Sequence, residues 1–114
     1  MKVTVKDLYG ENCITMEDGL ELNKVINEAM QKKEPVEIDF EGVDVVASPF
    51  LNAAVGRLLR QWSPDDLNRL LNFRHVNPAS MAVLKRVIEN AKTYFASKGE
   101  AHAIDEILKR YSDK

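Results

Sequence analysis

The chain has 114 residues and a formal net charge of −2, with 16 basic and 18 acidic residues. This length is typical of one domain with a single core. The two signs of charge are interspersed, so no basic block predicts binding to nucleic acid or to a membrane. The apolar runs are too short to span a bilayer, and the N-terminal residues lack the apolar core of a signal peptide. We therefore expect a soluble cytoplasmic protein in which residues 1–114 form a single domain.

Most signatures of catalysis and of cofactor binding are missing from the sequence. The single cysteine excludes an internal disulfide and a zinc site built from thiolates. The five glycines are dispersed, so no phosphate-binding glycine loop is present. The two histidines have no carboxylates at a metal-binding spacing. We expect no cofactor, no metal and no catalytic residues, and an enzyme that uses Cys13 or His75 stays only as an alternative.

The N-terminal part of the chain alternates between apolar and polar side chains. Two such stretches, residues 3–6 and 13–16, flank a turn at residues 10–12. Alternation on both sides of a turn predicts a β-hairpin. Asp18 follows in a position to cap a helix over residues 19–32, whose apolar residues fall on one face.

Residues 35–56, PVEIDFEGVDVVASPFLNAAVG, form the most informative segment. Residues 36–40 alternate as a strand does, and a short turn leads into a second, more apolar strand at residues 43–46. Ser48 then precedes Pro49, which is the arrangement of an N-cap followed by a proline in the first helical position. A strand that leads into a helix N-terminus is where a small α/β domain usually has its working surface.

The second half of the chain predicts helices around one more strand. Ser63-Pro64 and Asn77-Pro78 each supply a cap followed by a proline, which predicts where two helices begin. Gly99 predicts the end of the second of them. The expected elements are helices over residues 50–62, 64–70 and 78–97, a strand over residues 71–76, and a last helix that carries Ile104, Ile107, Leu108 and Tyr111.

The polar positions of the strands predict how the sheet is covered. Strands covered by helices on both faces are apolar nearly throughout, whereas most of the strands predicted here alternate. We therefore expect an α/β fold with a mixed sheet of four or five strands and the helices mainly on one face. The other face would carry charges that pair across strands, either as a solvated surface or as a second partner surface. Its predicted members are Thr4, Lys6, Glu37, Asp39, Asn72 and Arg74.

Three further side chains are chemically notable. Cys13 has no histidine or cationic cluster beside it in the sequence, so we expect a half-buried, unreactive strand thiol. His75 shares its predicted strand face with Leu71 and Phe73, which predicts an imidazole at the edge of the core. Asp39, at the end of a strand, is the one carboxylate whose position suggests a site.

The run EIDFEGVDVVASPFLNAAVG is similar to the STAS superfamily, the fold of anti-sigma-factor antagonists and of the cytoplasmic tails of sulfate transporters. It resembles in particular a bacterial STAS-like family of unknown function, in which a strand ending Asp-Phe-x-Gly-Val precedes a serine-containing loop and a phenylalanine. The order of the predicted elements extends the resemblance over residues 3–96. The resemblance implies a single STAS-like domain with a role in bacterial signalling.

In the antagonists, the corresponding loop reads Asp-Ser-Ser-Gly, and a partner kinase that doubles as the anti-sigma factor phosphorylates a serine in it. This chain has Ala47, Ser48, Pro49 and Phe50 at those positions. Pro49 replaces the serine that accepts the phosphate, so the resemblance does not carry this phosphorylation switch to the chain. Ser48 keeps a hydroxyl at the helix N-terminus, where a phosphate would be favoured, but we predict that it acts as a helix cap.

We expect a non-enzymatic interaction module whose partner, by the resemblance, is a histidine-kinase-like ATPase. The expected contact residues are Ala47, Ser48, Pro49, Phe50 and Asn52, with Phe50 as the apolar anchor if its side chain is exposed. The alternative is a small-ligand or nucleotide sensor that binds an anion at the helix N-terminus beside Ser48. A polar pocket at this loop would favour the sensor, and a flat surface with an exposed Phe50 would favour the partner module.

Overall fold

The computed structural model describes the backbone of residues 1–99 and the side chains of residues 1–94. The α/β class is confirmed, and none of the described helices is both long and apolar enough to cross a membrane. The expected last helix, which carries Ile104, Ile107, Leu108 and Tyr111, lies outside the described residues. The strands are β1 (Lys2–Thr4), β2 (Asn12–Cys13), β3 (Val36–Asp39), β4 (Val45–Val46) and β5 (Leu71–Arg74). The helices are α1 (Val5–Tyr9), α2 (Met16–Gln31), α3 (Ser48–Ala54), α4 (Pro64–Leu70) and α5 (Pro78–Gly99), with a 3₁₀ helix at Gly56–Arg60.

The described strands form two separate parallel sheets. One has three strands in the order β1-β3-β5, and the other pairs β2 with β4. The single mixed sheet expected from the sequence is therefore not what these residues form. Parallel neighbours need a crossover connection, and helices supply it, with α2 between β1 and β3 and with α3 and α4 between β3 and β5.

The predicted N-terminal hairpin is wrong. β1 and β2 lie in different sheets, and residues 5–9 between them form α1. Val3 pairs with Ile38 in the first sheet, whereas Cys13 pairs with Val46 in the second. An isolated two-stranded hairpin is marginally stable, and both strands instead pair with later strands and bury their apolar side chains in the shared core.

Helix α2 begins earlier than predicted. The Thr15 hydroxyl accepts a hydrogen bond from the Asp18 N–H at 3.2 Å, so Thr15 is the N-cap in place of Asp18. Gly19 then lies inside the helix, where a Cβ would come 2.3 Å from the carbonyl oxygen of Phe50. Only a glycine allows α2 to approach α3 this closely. This contact fixes the position of α3 against α2.

The other two predicted helix starts are confirmed. Ser63 Oγ accepts from the Asp66 N–H at 3.1 Å, and Asp66 Oδ2 accepts from the Ser63 N–H at 3.1 Å, which is a capping box at the start of α4. Asn77 Oδ1 accepts from the Ser80 N–H at 2.7 Å at the start of α5. The Asn77 amide also donates to two carbonyl oxygens in the loop before β4. This one side chain therefore ties α5 to the β3–β4 loop.

One hydrophobic core joins both sheets to the helices. The stripe predicted over residues 50–62 is buried at most of its positions, although the chain changes there from α-helical to 3₁₀ geometry. Tight packing of this kind makes the core sensitive to the loss of single side chains. Its largest fully buried side chains include Phe50, Leu22, Ile26, Met30, Ile38, Leu51 and Leu58.

Charged side chains of the three-stranded sheet lie side by side on one face. The register aligns Lys2 with Glu37, and Glu37 with Asn72. Glu37 carboxylate oxygens lie 3.4 Å from Arg74 Nε and 3.9 Å from Lys2 Nζ. Lys6, which the sequence placed on this face, lies in α1. The packing of the helices mainly on the opposite face stays a prediction.

Candidate functional site at the start of helix α3

Residues 47–52 run from the end of the second sheet through the first turn of helix α3. The Ala47 N–H donates to the carbonyl oxygen of Cys13 at 2.9 Å, which continues the pairing of β4 with β2. The Ala47 carbonyl in turn accepts from the Leu51 N–H at 3.2 Å in the first turn of the helix. The junction is therefore short and hydrogen-bonded on both sides, so it positions its side chains firmly.

Ser48 is not the N-cap that the sequence predicted. Ala47 occupies that position with extended backbone angles, and no side chain caps the helix. Ser48 is already helical and half-buried, and Pro49 follows it in the first turn, where its missing N–H costs nothing. The difference arises because a proline in the first turn is equally compatible with a helix that starts one residue earlier.

Phe50 is fully buried, so it cannot be the apolar anchor, and a partner site that depends on an exposed Phe50 is ruled out. Its ring packs edge-on against Tyr9, with 5.7 Å between the ring centroids and 67° between the planes. Its backbone carbonyl faces Gly19 of α2. The helical spacing of Phe50 with Ala53 and Ala54, which are also buried, is the sequence signal that identifies this face as a core face.

The exposed residues of the segment, Pro49 and Asn52, line a groove of about 650 Å³. Two partly exposed apolar side chains from other elements line the same groove, Met16 at 51% and Tyr94 at 54% exposure. The sequence does not single out either residue, because the alternation at residues 13–16 predicts a strand at Met16 and Tyr94 lies in α5, far along the chain from residues 47–52. The remaining lining residues are Ala53, Gly56, Arg57, Asn90 and Ala91. Ala47 and Ser48 are half-buried and do not line this groove.

A second group of polar side chains lies at the carboxyl ends of β3 and β5. Asp39 is 4% exposed, and its Oδ1 accepts from the Glu41 N–H at 3.0 Å and lies 2.9 Å from His75 Nδ1. Its Oδ2 lies 3.6 Å from Lys2 Nζ. The hydrogen bond from Glu41 and then the bond with His75 hold the pKa of Asp39 below its ordinary value.

His75 is not at the edge of the core, as its side chain is 58% exposed. β5 ends at Arg74, and His75 adopts a φ of 56°, so the strand alternation that assigned its face no longer applies. Asp39, Glu41 and His75 each have an atom that could coordinate a metal ion, and these three atoms lie within 4.8 Å of one another. Because the ammonium of Lys2 already lies beside the buried carboxylate, we interpret the group as an ion-pair network that joins the three strands.

Cys13 is fully buried, and its thiol lies 3.9 Å from the carbonyl oxygen of Gly10. Burial, followed by the nearby charge of Asp18, raises the pKa of the thiol to about 11. Reactive cysteines are accessible and have a lowered pKa. The geometry therefore agrees with the prediction of an unreactive thiol.

The sequence profile of a family described as a STAS-like domain of unknown function (DUF4325) matches residues 21–81, which is more than half of the 114 residues. The chain belongs to this family. The matched region contains β3, β4, α3 and β5, and therefore the whole of the segment 47–52. No curated protein and no solved structure matches the chain significantly.

Proposed function

We propose that this STAS-like domain is a non-enzymatic interaction module whose protein partner binds over the groove beside residues 47–52. The observation that supports this is the convergence of two exposed apolar side chains, Met16 and Tyr94, on one groove that also contains Pro49. Exposed apolar residues that cluster in this way, with polar groups around them, are typical of protein interfaces.

The elements around the groove are well suited to binding without large rearrangement. Met16 and Pro49 lie at the starts of α2 and α3, and Gly19 holds these two helices in close contact. A surface that is already ordered loses little conformational entropy when a partner binds. Binding energy from the apolar contacts is therefore not consumed by ordering a loop.

The composition of the groove indicates what the partner presents. An apolar side chain would contact Met16 and Tyr94, and hydrogen-bonding groups would meet the carboxamides of Asn52 and Asn90. By the STAS-like relationship, we propose that the partner is a histidine-kinase-like ATPase in a bacterial signalling pathway.

The alternative of an anion sensor at the start of α3 has less support. This helix has only seven residues, and Pro49 in its first turn has no N–H to offer an anion. The groove beside it is lined mainly by small and apolar residues and holds a single cation, Arg57, among the residues that line it. A partner protein fits this lining better than a small anion does.

Quantitative affinity capture with matched variants tests the proposal. Met16→Glu places a charge in the groove at the first position of α2, where a carboxylate suits the helix dipole and the fold is retained. Leu8→Glu is the control, because Leu8 is similarly exposed, at 55%, but does not line the groove.

We expect the wild type and Leu8→Glu to capture the same ATP-binding protein and Met16→Glu to lose it. Capture that is unchanged by Met16→Glu, or equally lost with Leu8→Glu, would show that the partner does not bind at this groove. A captured protein that is lost with Met16→Glu alone but has no ATPase domain would support the groove as the binding surface. It would refute the proposed class of partner.

A further inference from the structure

A polar pocket of about 440 Å³ lies between α2 and the 3₁₀ helix, and it shares Arg57 with the groove beside residues 47–52. Two guanidinium groups and three carboxamides line it, together with one apolar side chain, and no carboxylate is among them. Such a lining has the character of a binding site for an anion. The lining residues are Asn23, Asn27, Arg57, Leu58, Arg60 and Gln61.

The two arginines are held on the same edge of their helix. In a 3₁₀ helix, side chains three residues apart eclipse one another, so Arg57 and Arg60 project in the same direction. Both are exposed, and neither forms an ion pair with any side chain in residues 1–94. An anion bound between them would relieve the repulsion of the two like charges.

Hydrogen bonds fix the orientation of the two asparagines on α2. The indole N–H of Trp62 donates to Asn27 Oδ1 at 2.9 Å. Because an indole nitrogen is only a donor, this bond fixes the oxygen of the carboxamide toward Trp62, and the Asn27 N–H₂ can donate to another group. The Asn23 amide donates to the carbonyl oxygen of Ala54 at 3.2 Å, which leaves its Oδ1 as an acceptor. The α2 wall of the pocket therefore offers one donor for an anion and one acceptor for a hydroxyl or amine.

We infer that this pocket binds the phosphate group of a small organic phosphate monoester. The guanidinium groups of Arg57 and Arg60 match phosphate oxygens in bidentate geometry, and the amide of Asn27 adds a further donor. Asn23 Oδ1 would accept from a hydroxyl of the organic part. The volume of about 440 Å³ lies in the range of pockets that hold small molecules.

Isothermal titration calorimetry with glycerol 3-phosphate, whose hydroxyls can donate to Asn23 Oδ1, tests the inference. The wild type should bind it saturably, and more tightly than inorganic phosphate, which has no organic part, or glycerol, which has no phosphate. Arg57→Gln with Arg60→Gln should weaken binding at least about tenfold, the loss expected when charge-assisted hydrogen bonds are removed. Arg86→Gln, at an exposed arginine of α5 outside the pocket, is the matched control and should bind as the wild type does.

Asn27→Asp is the most specific variant. The new carboxylate still accepts the hydrogen bond from Trp62, but it lacks the N–H₂ donor of Asn27 and its negative charge repels an anion. We expect it to lose binding with an unchanged thermal midpoint. Four results would each overturn the inference: no saturable binding by the wild type, binding unchanged in the double arginine variant or in Asn27→Asp, an equal loss with Arg86→Gln, or glycerol 3-phosphate bound no more tightly than inorganic phosphate.

Discussion

Phe50→Ala tests whether this residue supports the core or contacts a partner. The ring is fully buried and packs edge-on against Tyr9. Truncating a buried phenylalanine typically costs about 3–5 kcal/mol, because the lost apolar burial is added to the cost of the cavity. A small domain has a free energy of unfolding of roughly 5–15 kcal/mol, so the variant should lose a large part of its stability.

Urea unfolding followed by fluorescence measures this loss, since Trp62 is the single tryptophan and is half-buried. Leu8→Ala is the control, because Leu8 is 55% exposed and its truncation should stay within about 0.5 kcal/mol of the wild type. A double-mutant cycle with Tyr9→Leu should give a coupling of about 0.5–1.5 kcal/mol for the aromatic pair. A Phe50→Ala protein within about 1 kcal/mol of the wild type would refute the assignment to the core.

Three other predictions concern the side chains assigned above. Ser63→Ala should cost about 0.5–2 kcal/mol in urea unfolding because it removes a cap, whereas Ser48→Ala should change stability by less than about 0.5 kcal/mol; equal costs would show that Ser48 caps α3. Cys13 should react with iodoacetamide at mildly alkaline pH more than about tenfold faster in urea than in the native protein, and equal rates would contradict its burial. Because the pKa of Asp39 is lower in the folded protein, its ionised form stabilises the fold above the ordinary carboxyl pKa of about 3.9, and this contribution is lost as the pH falls through the lowered pKa. Urea unfolding at several acidic pH values should therefore show a weaker loss of stability on acidification for Asp39→Asn than for the wild type, and identical slopes would exclude a stabilising role for the carboxylate.

The parts of the fold that the sequence predicted correctly depend on local chemistry. Ser63 and Asn77 each precede a proline, and in both cases the side chain bonds to the N–H three residues later. Such contacts lie within one turn of helix, so no knowledge of the rest of the chain is needed. The same applies to β3 and β5, whose alternating residues gave their positions to within two residues.

The wrong predictions arise where the local sequence pattern leaves more than one structure open. Alternation at residues 3–6 indicates an extended segment but does not say whether the partner strand is nearby or, as here, β3. The start of α2 depends on a choice between two candidate caps three residues apart, Thr15 and Asp18, that differ little in propensity. The positive φ of His75 removes it from the face that alternation assigned. In each case the local pattern is compatible with more than one structure.

The candidate site shows the same limit of local sequence patterns. The sequence predicted residues 47–52 as the contact segment, but Phe50 packs under α2, where Gly19 admits its backbone. The position of this phenylalanine is therefore explained by packing within the fold. The exposed groove residues Met16 and Tyr94 lie on helices far from the motif in the sequence, so domains with the same motif can present different surfaces on the same framework. Partner choice within such a fold should accordingly follow these exposed positions, and exchanging them should change the partner while the fold is retained.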